Sequence, residues 1–283
     1  MNQRPRLIRF FSKYNATANV GRYRVVCLVA LAVMGPSVAK VAMAQDFDAL
    51  GSVIRIEIDA FGADSGKITF SELALGSINP IFSAQAYGGQ ADGVMVGFAG
   101  YFEGQSVGTQ STCPPSAAVG GCVIGRPSAP LRLAAGAPPV KIVEDGANPN
   151  SPSLSGSPIF NGPVSFVFDR DIAGIGLAGG YFNSIGGTAI QAFDREGNLL
   201  GAVMNARVGM DYLALVTEDG TDRIAGVQFS VVGREDAGFA IDDVSFAKSV
   251  QLNRDKIEGL KPVPDIALQK DWPPNTQFFR AIE

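Results

Sequence analysis

Gly238-Phe239-Ala240-Ile241-Asp242-Asp243-Val244-Ser245-Phe246 is an apolar run that carries two adjacent aspartates. Side chains alternate along a strand, so strict alternation predicts Ala240, Asp242, Val244 and Phe246 on one face and Ile241, Asp243 and Ser245 on the other. One carboxylate is then expected on each face. A carboxylate taken out of water is costly unless it is paired, hydrogen-bonded or bound to a metal. The run therefore reads as the closing strand of a β-domain and as its first chemical clue.

The rest of the mature chain carries the same kind of signal. Short alternating segments, bounded by glycine-rich turns, predict strands over Val53–Asp59, Lys67–Phe70, Val94–Phe102, Val164–Phe168, Ile172–Leu177, Thr188–Phe193, Leu199–Val203, Tyr212–Val216, Ile224–Val232 and Phe239–Phe246. This spacing predicts an all-β fold, a β-sandwich of the jelly-roll kind, over residues 45–250. Asp194-Arg195-Glu196-Gly197-Asn198 between two apolar runs predicts a β-hairpin. Glu218-Asp219-Gly220-Thr221-Asp222 reads as a second polar turn. Residues 104–163, rich in Gly, Pro, Ser and Ala, read as a loop-rich insertion with short strands near Leu131–Leu133 and Val140–Val143. Residues 251–283, with four prolines and the single tryptophan Trp272, read as an irregular tail with a short helix near Asn253–Leu260.

Residues 1–44 read as a signal peptide. Arg4, Arg6, Arg9, Lys13, Arg22 and Arg24 precede the apolar Val25–Met34, and Ala42-Met43-Ala44 offers a small-residue cleavage site. The apolar run is short for a membrane anchor, and no other segment reads as a span. The expected location is secreted or periplasmic. The leader holds seven of the 23 Lys+Arg and none of the 27 Asp+Glu, so residues 45–283 carry 16 basic against 27 acidic residues, a net −11. Such a charge disfavours nucleic acid and anionic membrane as partners. Of the three cysteines, Cys27 lies in the leader. Cys113 and Cys122 form an even, closely spaced pair that predicts a disulfide in an oxidising compartment.

The chain has no histidine. That removes the commonest general base and all Ser-His-Asp and Cys-His catalysis. Gly104-Gln105-Ser106-Val107-Gly108 matches the G-x-S-x-G pattern but lacks the elbow and the base that the chemistry requires. Ser245-Phe246-Ala247-Lys248 matches S-x-x-K on a strand end rather than a helix start. Asp242, Asp243, Glu72 and Glu103 are available for paired-carboxylate glycoside hydrolysis, though nothing in the sequence sets their separation. The same acids suit a hard cation. If the first and last strands pair, Glu72 can meet Asp242 or Asp243 around a structural calcium.

Ile68-Thr69-Phe70-Ser71-Glu72, Gly76-Ser77-Ile78-Asn79-Pro80, Phe193-Asp194-Arg195-Glu196-Gly197-Asn198-Leu199-Leu200-Gly201 and the closing strand together resemble a broad group of secreted bacterial jelly-roll proteins. The group is akin to PEP-CTERM-type exported proteins and to carbohydrate-binding-module-like, galactose-binding-like domains, and the resemblance spans residues 66–247. It implies a structural calcium on Glu72, Asp242 and Asp243. The chain departs from the sorted members in lacking their Pro-Glu-Pro, apolar helix and basic end. The expectation is a non-catalytic binding protein for a glycan or surface polysaccharide, with Tyr87, Tyr101, Tyr181 and Phe182 available as an aromatic platform. A structural or adhesive matrix protein that binds a cell-surface protein, and a histidine-free glycosidase or lyase, are the alternatives.

Overall fold

The structure is a computed structural model that describes residues 53–89, 93–146, 148–236 and 238–263. The leader and the end of the tail, including Trp272, lie outside the described residues. In chain order the strands are β1 (Val53–Arg55), β2 (Gly66–Ile68), β3 (Ile81–Phe82), β4 (Val96–Ala99), β5 (Gln105–Val107), β6 (Val123–Gly125), β7 (Lys141–Val143) and β8 (Ser153–Ser155). The longer strands follow: β9 (Val164–Ile172), β10 (Gly174–Phe182), β11 (Thr188–Phe193), β12 (Leu199–Met204), β13 (Gly209–Thr217), β14 (Ile224–Val231) and β15 (Ala240–Ala247). Among the described residues only short 3-10 turns interrupt this all-β pattern, one of them at Arg254–Lys256 in the segment predicted to hold a helix.

The strands form an antiparallel β-sandwich. One sheet runs β1-β13-β10-β15-β8-β7, with β2 also paired to β15. The other runs β12-β11-β14-β9-β4-β3. The chain crosses between them at Ala173, the single residue separating β9 from β10. The early and late strands do pair, with Ile68, Lys67 and Gly66 opposite Val244, Ser245 and Phe246.

Phenylalanines fill the space between the sheets. Phe70, Phe82 and Phe98 meet edge-on at 5.7–5.9 Å between centroids. Phe98 continues to Phe166 at 5.0 Å, Phe166 to Phe168 at 5.8 Å, and Phe168 crosses to Phe246 on the facing sheet at 5.5 Å. Edge-on and tilted pairs suit the ring quadrupole, so the chain of rings gains somewhat more than its buried area alone supplies.

The insertion differs from its expected loop-rich form. Residues 104–163 contribute four strands, and β7 and β8 extend the first sheet beyond β15. The β5–β6 hairpin and its flanks cover the outer face of the second sheet. Phe102 and Leu131 pack there on Phe193 and Ala225. Gln228 Nε2 donates to Gln105 Oε1 at 2.9 Å and to Ser165 Oγ at 2.8 Å, so a buried amide pair fixes the cover to β14 and β9. This second layer explains why every residue of β11 and β14 is buried. Leu131–Leu133 forms no strand, and Leu133 makes an isolated bridge to Phe102. Cys113 and Cys122 are joined, with Cα atoms 5.8 Å apart, as their spacing predicts. The small loop they close stabilises the cover by about 2–3 kcal/mol on loop-closure grounds.

The outer face of the first sheet is only half covered. Ile54, Ile56 and Ala60 pack on Ala214 and Val216, with Phe61, Leu252 and Ile257 alongside. That cover ends near Tyr212 on β13. At the far end of the same face Met210 is exposed among the described residues.

Candidate functional site

The closing strand does not alternate strictly. Gly176 pairs with Ser245 and Ala178 with Asp242, so one residue of β10 faces two of β15. Asp243 is the extra residue, and its φ of 47° lies in the left-handed region that aspartate tolerates better than most residues. The bulge resets the phase. Ile241, Val244 and Phe246 all enter the core, and both carboxylates fall outside it. The expected placement of one carboxylate on each face is thus corrected, and the reason is a single inserted residue.

The three carboxylates expected to hold calcium have separate partners. Glu72 Oε1 accepts from the Thr69 amide at 2.8 Å and the Thr69 hydroxyl at 3.1 Å, closing its own turn. Asp243 pairs with Lys67 at 2.9 Å across the β2–β15 ladder, an exposed contact worth little. Asp242 accepts from Ser151 Oγ and from the Asp243 amide, each at 2.7 Å. Among the described residues no group of three His, Cys, Asp or Glu side chains is placed to hold a metal ion.

Asp242 instead opens into a cleft of about 420 Å³ on the uncovered end of the first sheet. Its floor consists of Ala178 and Gly180 on β10 opposite Asp242 and Ala240 on β15. The depression exists because these positions carry almost no side chain, and a Cβ on Gly180 would collide with the Met210 sulfur. The rim holds Tyr181, Phe160 and Met210, which are 46, 38 and 51 % exposed. Phe160 is fixed there in the left-handed region, φ 63°, while its amide donates to Ser155 Oγ at 2.6 Å and its carbonyl accepts from the Phe239 amide. Such a conformation persists in a non-glycine residue only where its surroundings enforce it. Asp145 and Ser153 complete the polar lining. The Ser153 hydroxyl is buried, with the residue 3 % exposed, and has no hydrogen-bond partner among the described residues.

Of the four aromatics expected as a platform, Tyr181 alone lines this cleft. Phe182 is in the core, and Tyr87 stacks edge-on against Phe246 at 5.2 Å. Phe160, Met210, Asp145 and Ser153 were not foreseen. Ser106 lies in the β5 ladder opposite Ile124, on a strand rather than an elbow.

Burial is the leading cause that raises the Asp242 carboxyl above the usual carboxylate range. Hydrogen bonds from Ser151 and the Asp243 amide oppose it, and the charges of Asp243 and Asp145 add to it. An acid whose folded pKa exceeds its unfolded value loses stability as pH rises between the two. Relative to wild type, Asp242→Asn is therefore expected to gain in unfolding midpoint as pH goes from about 4 to 7. Thermal melts of both proteins across that range measure this, and a gap that stays constant with pH contradicts it.

No family model, curated protein or solved structure matches the chain. No helix among the described residues is long and apolar enough to cross a membrane.

Proposed function

We propose that this is an exported, non-catalytic binding protein whose ligand is a glycan held in the cleft of the first sheet. The supporting observation is the exposed Tyr181 ring at the rim of a shallow, small-residue floor, next to the Asp242 carboxylate and the unpartnered Ser153 hydroxyl. Sugars present apolar C–H faces and a girdle of hydroxyls, and this lining offers a ring for the first and polar atoms for the second. Export is supported by the basic leader and small-residue cleavage site, and by the Cys113–Cys122 disulfide.

A glycan array probed with the purified protein tests this reading, and Ala178→Phe is the decisive variant. Ala178 faces outward on the floor, so the added ring fills the cleft and leaves the core alone. Binding is expected to fall at least tenfold in Ala178→Phe and in Tyr181→Ala, with unfolding midpoints close to wild type. Undiminished binding by Ala178→Phe removes the cleft from the reading, and an array with no bound glycan removes the reading itself.

Asp145 and Asp242 in one cleft favour a second reading, a histidine-free glycosidase. New reducing ends released from a bound glycan would support it. The matrix-protein alternative rests on the tail, of which residues 264–283 lie outside the described residues.

A further inference from the structure

We infer that the glycan carries free amino groups: the cleft selects a deacetylated hexosamine polymer over neutral, N-acetylated or acidic ones. The inference rests on the glycan reading and adds the charge of the ligand to it.

The argument begins with what lines the cleft. Among the described residues its charged side chains are Asp145 and Asp242, with no Lys or Arg in the lining. Ionised carboxylates accept hydrogen bonds and donate none. The side-chain donors among the described lining residues are the hydroxyls of Ser153 and Tyr181. A site so short of donors is poorly matched to uronate or sulfate groups, which need them. An ammonium group, with three donors and no acceptor, matches it.

The apolar side of the cleft points the same way. Tyr181 and Phe160 present exposed ring surface at the rim, and an aromatic face attracts a cation through its quadrupole. The ring, the carboxylates and the small-residue floor together give a cationic sugar a stacking surface and a counter-charge. Ser153 is an independent observation. Its buried hydroxyl lacks a partner, and a buried polar group left without one is costly, so a ligand that reaches it recovers that cost. A protein lysine offers the same ammonium without the ring hydroxyls.

Isothermal titration with four probes separates the cases: a β-1,4-glucosamine hexamer, its N-acetylated counterpart, cellohexaose and a hexalysine peptide, at a pH where the amines are protonated. The glucosamine hexamer is expected to bind at least tenfold more tightly than the other three. That preference is expected to shrink with added salt and to disappear in Asp242→Asn. Equal binding of the neutral or acetylated hexamer overturns the inference and leaves the glycan reading standing. So does a neutral glycan bound on the array when the glucosamine hexamer is not bound. Hexalysine binding as tightly as the glucosamine hexamer overturns the inference in favour of a basic protein partner. No binding by any probe, together with an empty array, overturns both.

Discussion

Phe166→Ala is expected to lower the stability of the domain by about 3–5 kcal/mol, the range for removing a large aromatic from a packed core. Phe166 is fully buried on β9 and joins the ring cluster Phe70–Phe82–Phe98 to Phe168, whose own contact with Phe246 reaches the facing sheet. For a domain of this size the loss lowers the unfolding midpoint by roughly 10–15 °C. Phe166→Leu keeps most of the volume and is expected to lose less than half as much. A melt in which the alanine and leucine variants are equally stable would show that the ring cluster is not the link between the sheets.

Glu235→Ala is expected to cost about 2–5 kcal/mol, since it removes a buried carboxylate to which the Asn183 and Ser184 amides donate. Glu235 is fully buried, and its carboxylate accepts from the Asn183 amide at 3.0 and 3.1 Å and from the Ser184 amide at 3.4 Å. Its backbone carbonyl accepts from Ala118, within the disulfide loop. One residue thus fixes the turn after Tyr181 and one end of the covering insertion. Glu235→Gln keeps an acceptor oxygen and is expected to retain most of the stability. Urea unfolding of the three proteins measures the order wild type, Gln, Ala, and equal midpoints would remove the clamp from the account. Because the turn begins two residues after Tyr181, the alanine variant is also expected to weaken any ligand of the cleft.

Much of the architecture was legible because it follows local patterns. Thr188–Phe193 has the predicted bounds, and the hairpin to β12 forms around Gly197, whose φ is 81°. In its turn the Asp194 carboxylate accepts from the Asn198 amide at 2.8 Å, a local contact that needs no tertiary help. The cover over the second sheet had a signal too. β11 and β14 carry no charged residue on either face, which a sheet with one solvated side does not require.

The site was less legible, for two physical reasons. The bulge at Asp243 moves both carboxylates outward, and one inserted residue leaves no mark in an alternation pattern. The cleft is made by missing side chains, Ala178, Gly180 and Ala240, contributed by strands about sixty residues apart in sequence. Tyr181 and Phe182 are adjacent aromatics with opposite fates, one at the rim and one in the core, because the β10–β13 register shifts between Gly179 and Phe182. Composition could supply the ring but not its direction.

The bulge also makes one place in the chain unusually forgiving. A single-residue deletion inside a strand normally inverts every side chain beyond it. Here the loss of Asp243 would leave Ile241, Val244 and Phe246 pointing as they do now, since the strand already carries one residue more than its neighbour. The core and the shape of the cleft are therefore separately mutable at this position. A lineage could flatten or rebuild the binding face by gaining or losing one codon, without repacking a single phenylalanine.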